Sequence, residues 1–118
     1  MANMAQAIRM ALHVGEERLG VQDIFGEDVG PPMGGVFTAT QGLKTSWNTP
    51  LDERGIIGMA IGIALTGDRC VAEIQFCDYI FNTIDLLTLQ CVTSILTHNI
   101  FEFEVMCLYM LTSHVCSS

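Results

Sequence analysis

The sequence predicts an α/β domain with a partial parallel sheet and helical crossovers. A helical pattern comes first, and strand patterns then alternate with helical ones, which is typical of parallel strands joined by crossover helices. Half of the 118 residues are hydrophobic and 15% are charged, which is enough apolar material for one modest core. No apolar run reaches the roughly 18 residues that a membrane-spanning helix needs.

Charge and cysteine content limit the partners and the compartment. The formal net charge is −8, and all five Lys and Arg lie at or before Arg69. Nucleic acids and anionic membranes bind basic surfaces, so neither is expected as a partner. Five irregularly spaced cysteines without a signal peptide favour reduced thiols inside a cell. The lack of a transit peptide favours the cytoplasm of a bacterium over the mitochondrial matrix of a eukaryote.

The first third of the chain predicts a helix, a strand and a loop. Asn3 can cap a helix that stops at Gly20, and "VQDIFG" reads as a strand ending at Gly26. Residues 29–35 form a loop by their proline and glycine content, residues 36–43 predict one or two helical turns, and "TSWN" is a weak strand before Pro50. The face of the first helix that should be buried consists of Met4, Ile8, Ala11, Leu12 and Leu19.

A second helix is predicted from Asp52 to Thr66. It is apolar almost all round after Arg54, so we expect burial on most sides. Gly58 and Gly62 lie four residues apart, and this spacing lets the backbone of a neighbour come close.

The remaining chain predicts a strand at 69–76 and a helix at 79–96. Phe101, Phe103 and Val105 alternate with glutamates and suggest a further strand, but nothing after it offers an obvious partner element. The apolar stripe of the 79–96 helix consists of Ile80, Ile84, Leu87, Cys91 and Ile95.

Each of the first three predicted strands ends in a segment with a carboxylate. Ligands of open parallel sheets bind beyond the carboxyl ends of the strands. A crevice that combines acids with an aromatic ring suits a planar, nitrogen-bearing ligand. The residues in question are Glu27 and Asp28 after the first strand, Asp52 and Glu53 after the second, and Asp78 and Tyr79 after the third.

Helix capping is the competing explanation of these acids. Asp28, Asp52 and Asp78 each stand where a helix could begin, and capping alone would account for them. Glutamate is a poor first cap, so Glu27 and Glu53 are harder to explain in this way. Glu53 could still be a first-turn carboxylate favoured by the helix dipole.

A series of motifs resembles one enzyme family. "FGEDVG", "GGVF", "QGL", "NTPLDERGIIGMAIGIALTG" and "AEIQFCDYIFNTID" occur in this order within residues 3–87. Together they resemble the beta subunit of the thiamine-diphosphate-dependent, decarboxylating component of 2-oxoacid dehydrogenase complexes, of the branched-chain type. The implied fold is a transketolase-like pyrimidine-binding domain, incomplete here.

The resemblance implies roles for five residues. Glu53 would hydrogen-bond a ring nitrogen of the cofactor's pyrimidine and favour the imino tautomer, which makes it the catalytic residue. Glu27 would order the site near the pyrimidine, Tyr79 would stack on the ring, and Leu51 and Gln75 would line the pocket. No metal ligand is expected in this chain, because the family's alpha subunit holds the diphosphate and its Mg²⁺.

The resemblance also implies partners and a domain boundary. The expected partners are the alpha subunit, a second beta subunit and the lipoyl acyltransferase core of the complex. Residues 1–87 would form the N-terminal part of the pyrimidine-binding domain, and residues 88–118 would be a divergent tail on a truncated chain.

The expected activity of the full-length family enzyme is therefore oxidative decarboxylation of branched-chain 2-oxoacids. We expect little or no turnover by this chain alone. A non-catalytic assembly or interaction protein without cofactor binding is the alternative. Another thiamine enzyme of the transketolase group is a third option.

Overall fold

A computed structural model describes residues 3–32 and 38–89 together with the backbone of 105–109. Residues 84–89 are also α-helical. Within these described ranges, no helix combines the length and the apolar character that crossing a membrane requires. The elements in chain order are α1 (Met4–Arg18), β1 (Val21–Gly26), β2 (Ser46–Asn48), α2 (Glu53–Leu65), β3 (Arg69–Ile74), a 3₁₀ helix (Cys77–Thr83) and β4 (Val105–Tyr109).

The four strands form one parallel sheet in the order β2-β1-β3-β4. This confirms the predicted α/β class. β4 pairs with β3 along its whole length, from Val105 opposite Cys70 to Tyr109 opposite Ile74. The C-terminal segment thus has the partner strand that its sequence pattern did not indicate, while residues 101–104 of the predicted strand lie outside the described residues.

The sheet buries its two faces against two helices. Side chains of successive strand residues point to opposite faces, so Ile24 and Phe25 of β1 belong to different cores. Phe25 packs with Ile56 and Ile57 of α2, and Ile24 packs with Leu12 of α1.

α1 begins as predicted but packs through a narrower face. Asn3 caps it, and the side chain of Gln6 bonds back to the backbone of Asn3. Leu12 is buried and Ile8 partly so. The other three members of the predicted face are not buried, so that part of the prediction was wrong. The helix instead contacts β1 near Gly15, where an added Cβ would stand 3.3 Å from the side chain of Val21. The exposed members are Met4, Ala11 and Leu19.

The expected burial of α2 on most sides was wrong for the described part of the chain, in which only one side of the helix is buried. Ile56, Ile57 and Ala60 face the sheet. Gly58 and Gly62 are exposed, and no heavy atom lies within 4 Å of the position that a Cβ would take at either of them. The expected close approach of a neighbouring backbone therefore does not occur among the described residues.

Two predicted helical segments differ in the structure. Residues 38–42 form successive turns, because Thr38 and Gly42 have φ values of 57° and 88°, which no α-helix contains. The second segment begins as the 3₁₀ helix, which carries the buried Ile80, and becomes α-helical only from residue 84. Ile84 is exposed, so the apolar stripe is not continuous, and residues 90–96 lie outside the described ranges.

Glu16 fixes the turn segment against α1. Its Oε1 accepts hydrogen bonds from the backbone N–H groups of Lys44 and Thr45, both at 2.6 Å, and from the Thr45 hydroxyl at 2.9 Å. Burial opposes ionisation of Glu16, but the hydrogen bonds from Thr45 and Lys44 outweigh it and lower its pKa. The start of β2 is therefore held by a charged acceptor that stays ionised at neutral pH.

Replacing Glu16 by Gln should lower the free energy of unfolding by about 1–2 kcal/mol at pH 7, because a charge-assisted acceptor becomes neutral. The difference should shrink as the pH falls through the lowered pKa, since protonation removes the same charge in the unsubstituted chain. Urea unfolding at several pH values measures this. Glu17→Gln, at an exposed neighbouring position, is the control and should change little. Equal stability of the two variants at pH 7 would contradict the assignment.

Candidate functional site

The carboxyl ends of β1, β2 and β3 meet at one edge of the sheet. In the parallel registers Gly26 lies opposite Asn48, and Phe25 lies opposite Ala72. The segments that leave these strands therefore start side by side. They carry all five residues that the sequence resemblance singled out, namely Glu27 after β1, Leu51 and Glu53 after β2, and Gln75 and Tyr79 after β3.

Glu27 lies at the centre of this edge. It is 9% exposed, and its Oε1 is buried without a hydrogen-bond partner among the described residues. The Gln75 amide donates to the Glu27 carbonyl oxygen at 3.4 Å, which links the segments after β1 and β3. Burial, then the charges of Glu53 and Asp28, raise the pKa of the Glu27 carboxyl. Glu53 is thus close enough to Glu27 for the two carboxylates to repel each other.

Glu53 is the first residue of α2 and is partly buried. An acid in the first turn of a helix is stabilised by the helix dipole. The charge of Glu53 also acts on Glu27 at this edge of the sheet.

Side-chain capping does not explain the three aspartates. Asp52 stands at the N-cap of α2, but its side chain makes no capping hydrogen bond. Asp28 has a φ of 51° in a turn that starts no helix, and Asp78 lies inside the 3₁₀ helix, whose N-cap is Phe76. The capping explanation was therefore wrong for Asp28 and Asp78, and the side chain of Asp52 does not support it either.

The two apolar members of the predicted site are open to solvent. Leu51 is 81% exposed and Tyr79 is 45% exposed. The ring of Phe76 meets that of Tyr79 edge-on, with centroids 5.3 Å apart and an interplanar angle of 66°. An edge contact holds the tyrosine ring while leaving surface on it for a further planar group.

Glu73 is the acidic residue of this region that sequence reasoning missed. It sits in β3 between buried apolar residues, is 1% exposed, and neither carboxyl oxygen has a partner in the described part of the chain. Burial, then the charges of Asp28 and Glu27, raise the pKa of Glu73 to about 7. The sequence feature that could have revealed it is a glutamate between apolar residues of the predicted strand at 69–76.

Gly26 lets β1 approach the backbone of β3 at Glu73. A Cβ at position 26 would stand 2.7 Å from the Glu73 carbonyl oxygen and 3.0 Å from the Glu73 Cβ. Backbone atoms cannot yield to such a contact, so β1 and β3 can lie this close only with glycine at position 26.

The described residues contain no group of three or more His, Cys, Asp and Glu arranged to hold a metal ion. The acids at this edge can form hydrogen bonds with a polar ligand and exchange protons with it. A buried, partly protonated carboxyl group suits both roles.

Glu73 should make the chain less stable as the pH rises. Its pKa is about 7 when folded, against an ordinary value of 4.5, so the folded chain binds more protons than the unfolded chain between these values. The free energy of unfolding should therefore fall across that window, by up to about 3 kcal/mol, and then level off. Glu73→Gln should remove most of this slope, leaving a smaller one of the same sign from Glu27, whose pKa is also raised.

Chemical unfolding from pH 4 to pH 8.5 tests this, with the exposed Glu17→Gln as the control that keeps the slope. An unchanged pH dependence in Glu73→Gln would show that its carboxyl group is not buried as described.

Comparison with known proteins gives a consistent family. The sequence model of the family "Transketolase, pyrimidine binding domain" matches residues 1–116. The chain is 48% identical over 89 residues to "2-oxoisovalerate dehydrogenase subunit beta 2, mitochondrial" of Arabidopsis thaliana, an alignment that covers 70% of this chain and 24% of the relative. It is 43% identical over 90 residues to "2-oxoisovalerate dehydrogenase subunit beta" of Pseudomonas aeruginosa, covering 71% of this chain and 25% of the relative.

A third relative carries a different substrate in its name. The chain is 46% identical over 90 residues to "Pyruvate dehydrogenase E1 component subunit beta" of Leifsonia xyli, covering 68% of this chain and 26% of the relative. The chain thus spans about a quarter of the length of these relatives. The family match covers almost the whole chain and agrees with the parallel sheet and its acidic edge, and the chain therefore belongs to the transketolase-type pyrimidine-binding domain family.

Proposed function

We propose that this chain supplies the pyrimidine side of a thiamine diphosphate site in the decarboxylating component of a branched-chain 2-oxoacid dehydrogenase. The observation that carries the proposal is the buried Oε1 of Glu27 at the carboxyl edge of the sheet, which has no hydrogen-bond partner among the described residues, together with Glu53 at the start of α2, whose charge raises the pKa of Glu27. The branched-chain assignment is supported by the 2-oxoisovalerate dehydrogenase names of the relatives from Arabidopsis thaliana and Pseudomonas aeruginosa.

The residues at this edge fit an aminopyrimidine. Such a ring offers nitrogen donors and acceptors around its rim and two apolar faces. Glu53 and Glu27 would face the rim, where the Glu27 oxygen would gain a hydrogen bond that no described residue supplies. Tyr79 and Leu51 would cover the faces, and their exposed side chains are available for this contact.

Bound thiamine diphosphate would supply the chemistry that cleaves the bond between the carboxylate and carbonyl carbons of a 2-oxoacid. This chain would contribute the carboxyl group that controls where the aminopyrimidine ring carries its proton. Glu53 would hydrogen-bond a ring nitrogen and set the tautomer of the aminopyrimidine. Its position at the partly buried first turn of α2 limits competition from water, which strengthens a hydrogen bond to a charged group.

The rest of the site would come from partner chains. The relatives are named as subunits, and this chain spans about a quarter of their length. We assign the diphosphate and its Mg²⁺ mainly to an alpha subunit, and further contacts to a second beta subunit and to the lipoyl acyltransferase core. The large exposed surfaces of Leu51 and Tyr79 are consistent with a site of which one wall belongs to another chain. The corresponding compartment is the bacterial cytoplasm or, in a eukaryote, the mitochondrial matrix.

Glu53→Gln should weaken binding of thiamine diphosphate at least tenfold, because a hydrogen bond to a charged group contributes about 1.5–3 kcal/mol. Isothermal titration of thiamine diphosphate with Mg²⁺ into the folded chain, mixed with the alpha subunit of a relative, measures this, and the alpha subunit alone gives the background. The matched control is Asp52→Asn, the adjacent exposed acid, which should stay within about twofold of the original affinity. Absence of binding by the unsubstituted, folded chain together with the alpha subunit, or equal loss in both variants, would refute the cofactor assignment and favour an interaction protein that binds no cofactor.

The chain alone should turn over branched-chain 2-oxoacids at a negligible rate, because it carries only one side of the proposed site. A decarboxylation assay with 3-methyl-2-oxobutanoate, with and without the alpha subunit of a relative, measures this. Robust activity of the lone chain would contradict the requirement for a partner.

A further inference from the structure

Arg54 joins two segments that flank the candidate site. Its Nη1 donates to the Asn82 carbonyl oxygen at 2.6 Å and to Asp85 Oδ1 at 2.7 Å, and its Nη2 donates to Asp85 Oδ2 at 2.9 Å. Asn82 lies in the 3₁₀ helix and Asp85 just beyond its end. The guanidinium group thus binds the end of one helix from the first turn of another.

The two joined segments carry two walls of the proposed pocket. Glu53 is the residue immediately before Arg54, and Tyr79 lies in the same 3₁₀ helix as Asn82. On the buried side, α2 and the 3₁₀ helix are packed through Ile56, Ile57 and Ile80. These apolar contacts set the distance between the helices but permit them to slide past each other. Two parallel hydrogen bonds between a planar guanidinium group and a carboxylate fix the relative orientation of the two segments.

The geometry of the pair sets it apart from an ordinary surface ion pair. The side chains of Arg54 and Asp85 are 50% and 66% exposed, and a single contact at such exposure contributes little to overall stability. Here two parallel N–H···O bonds and a third bond to a carbonyl oxygen define one orientation. The hydrogen bond from Arg54 lowers the pKa of Asp85, so this carboxyl group is ionised at neutral pH. The effect to look for is therefore local order rather than global stability.

We propose that Arg54 is a positioning residue that locks the Glu53 end of α2 to the 3₁₀ helix bearing Tyr79, so that both walls of the pyrimidine pocket move as one unit. The inference rests on the proposed function for its consequence, which is cofactor affinity. The mechanical link itself concerns only described contacts of this chain and is measurable without any cofactor.

Amide hydrogen exchange tests the link directly. Arg54→Gln and Asp85→Asn should each speed exchange of residues 77–83 about three- to tenfold, and the double variant should do no more than either alone, because both remove the same contact. Exchange in β1 should not change. Arg54→Lys keeps the positive charge but cannot donate the two parallel hydrogen bonds, so its protection of residues 77–83 should lie between that of Arg54→Gln and that of the original chain.

Arg69→Gln is the matched control. Arg69 also donates to a carbonyl oxygen, that of Leu19 at 2.7 Å, but it lies at the amino end of β3, away from the site. The same substitution there should leave exchange of residues 77–83 unchanged. Raising NaCl from about 20 mM to about 500 mM should weaken protection in the original chain but not in Arg54→Gln, because salt screens the exposed pair.

Titration with thiamine diphosphate and Mg²⁺ supplies the second readout. Arg54→Gln should raise the dissociation constant about three- to tenfold with little change in the urea midpoint, whereas a merely structural role would shift the midpoint first. Unchanged exchange at 77–83, additive effects in the double variant, or an equal effect of Arg69→Gln would each overturn the proposal. If the unsubstituted chain binds no cofactor even with the alpha subunit of a relative present, the proposed function fails, and exchange alone then decides whether the link exists.

Discussion

Close parallel pairing of β1 with β3 is the constraint on which the candidate site depends. It holds the Glu27 segment beside the end of β3, the strand in which the Glu73 side chain is buried. The contact tolerates no side chain at Gly26. A buried carboxyl without a partner costs free energy once it ionises, so this sheet edge combines a rigid backbone with acids that hold their protons more tightly than usual.

The loops at this edge are ordered by specific contacts rather than by the strands alone. Asn48 accepts a hydrogen bond from the backbone of Gly30 at 2.6 Å, which connects the ends of β2 and the first loop. The Trp47 indole donates to Asp23 at 2.8 Å and stacks on Phe25 with centroids 4.7 Å apart. β2, which is only three residues long, is thereby fixed in register, and α2 starts from a defined point. The position of Glu53 follows from these contacts.

Local patterns predicted much of the fold and the approximate location of the site. Alternating strand and helix signals gave β1, β2, α2 and β3 within a residue or two, because proline and glycine mark most of their boundaries in the local sequence. What they could not give depended on contacts distant in sequence. The pairing of β4 with β3 joins residues more than 30 positions apart, so no local window contains it. Glu73 was missed for the same reason, since its burial is set by strands on both sides.

The bare outer face of α2 has an energetic consequence of its own. Glycine within a helix costs up to about 1 kcal/mol relative to alanine, and Gly58 and Gly62 recover none of this through contacts within the described chain. Substituting alanine at either position would stabilise the helix in the isolated chain. The added methyl group would also occupy the space that the two glycines leave along this side of the helix. Greater rigidity of the free molecule and room for a second backbone are therefore mutually exclusive at these two positions.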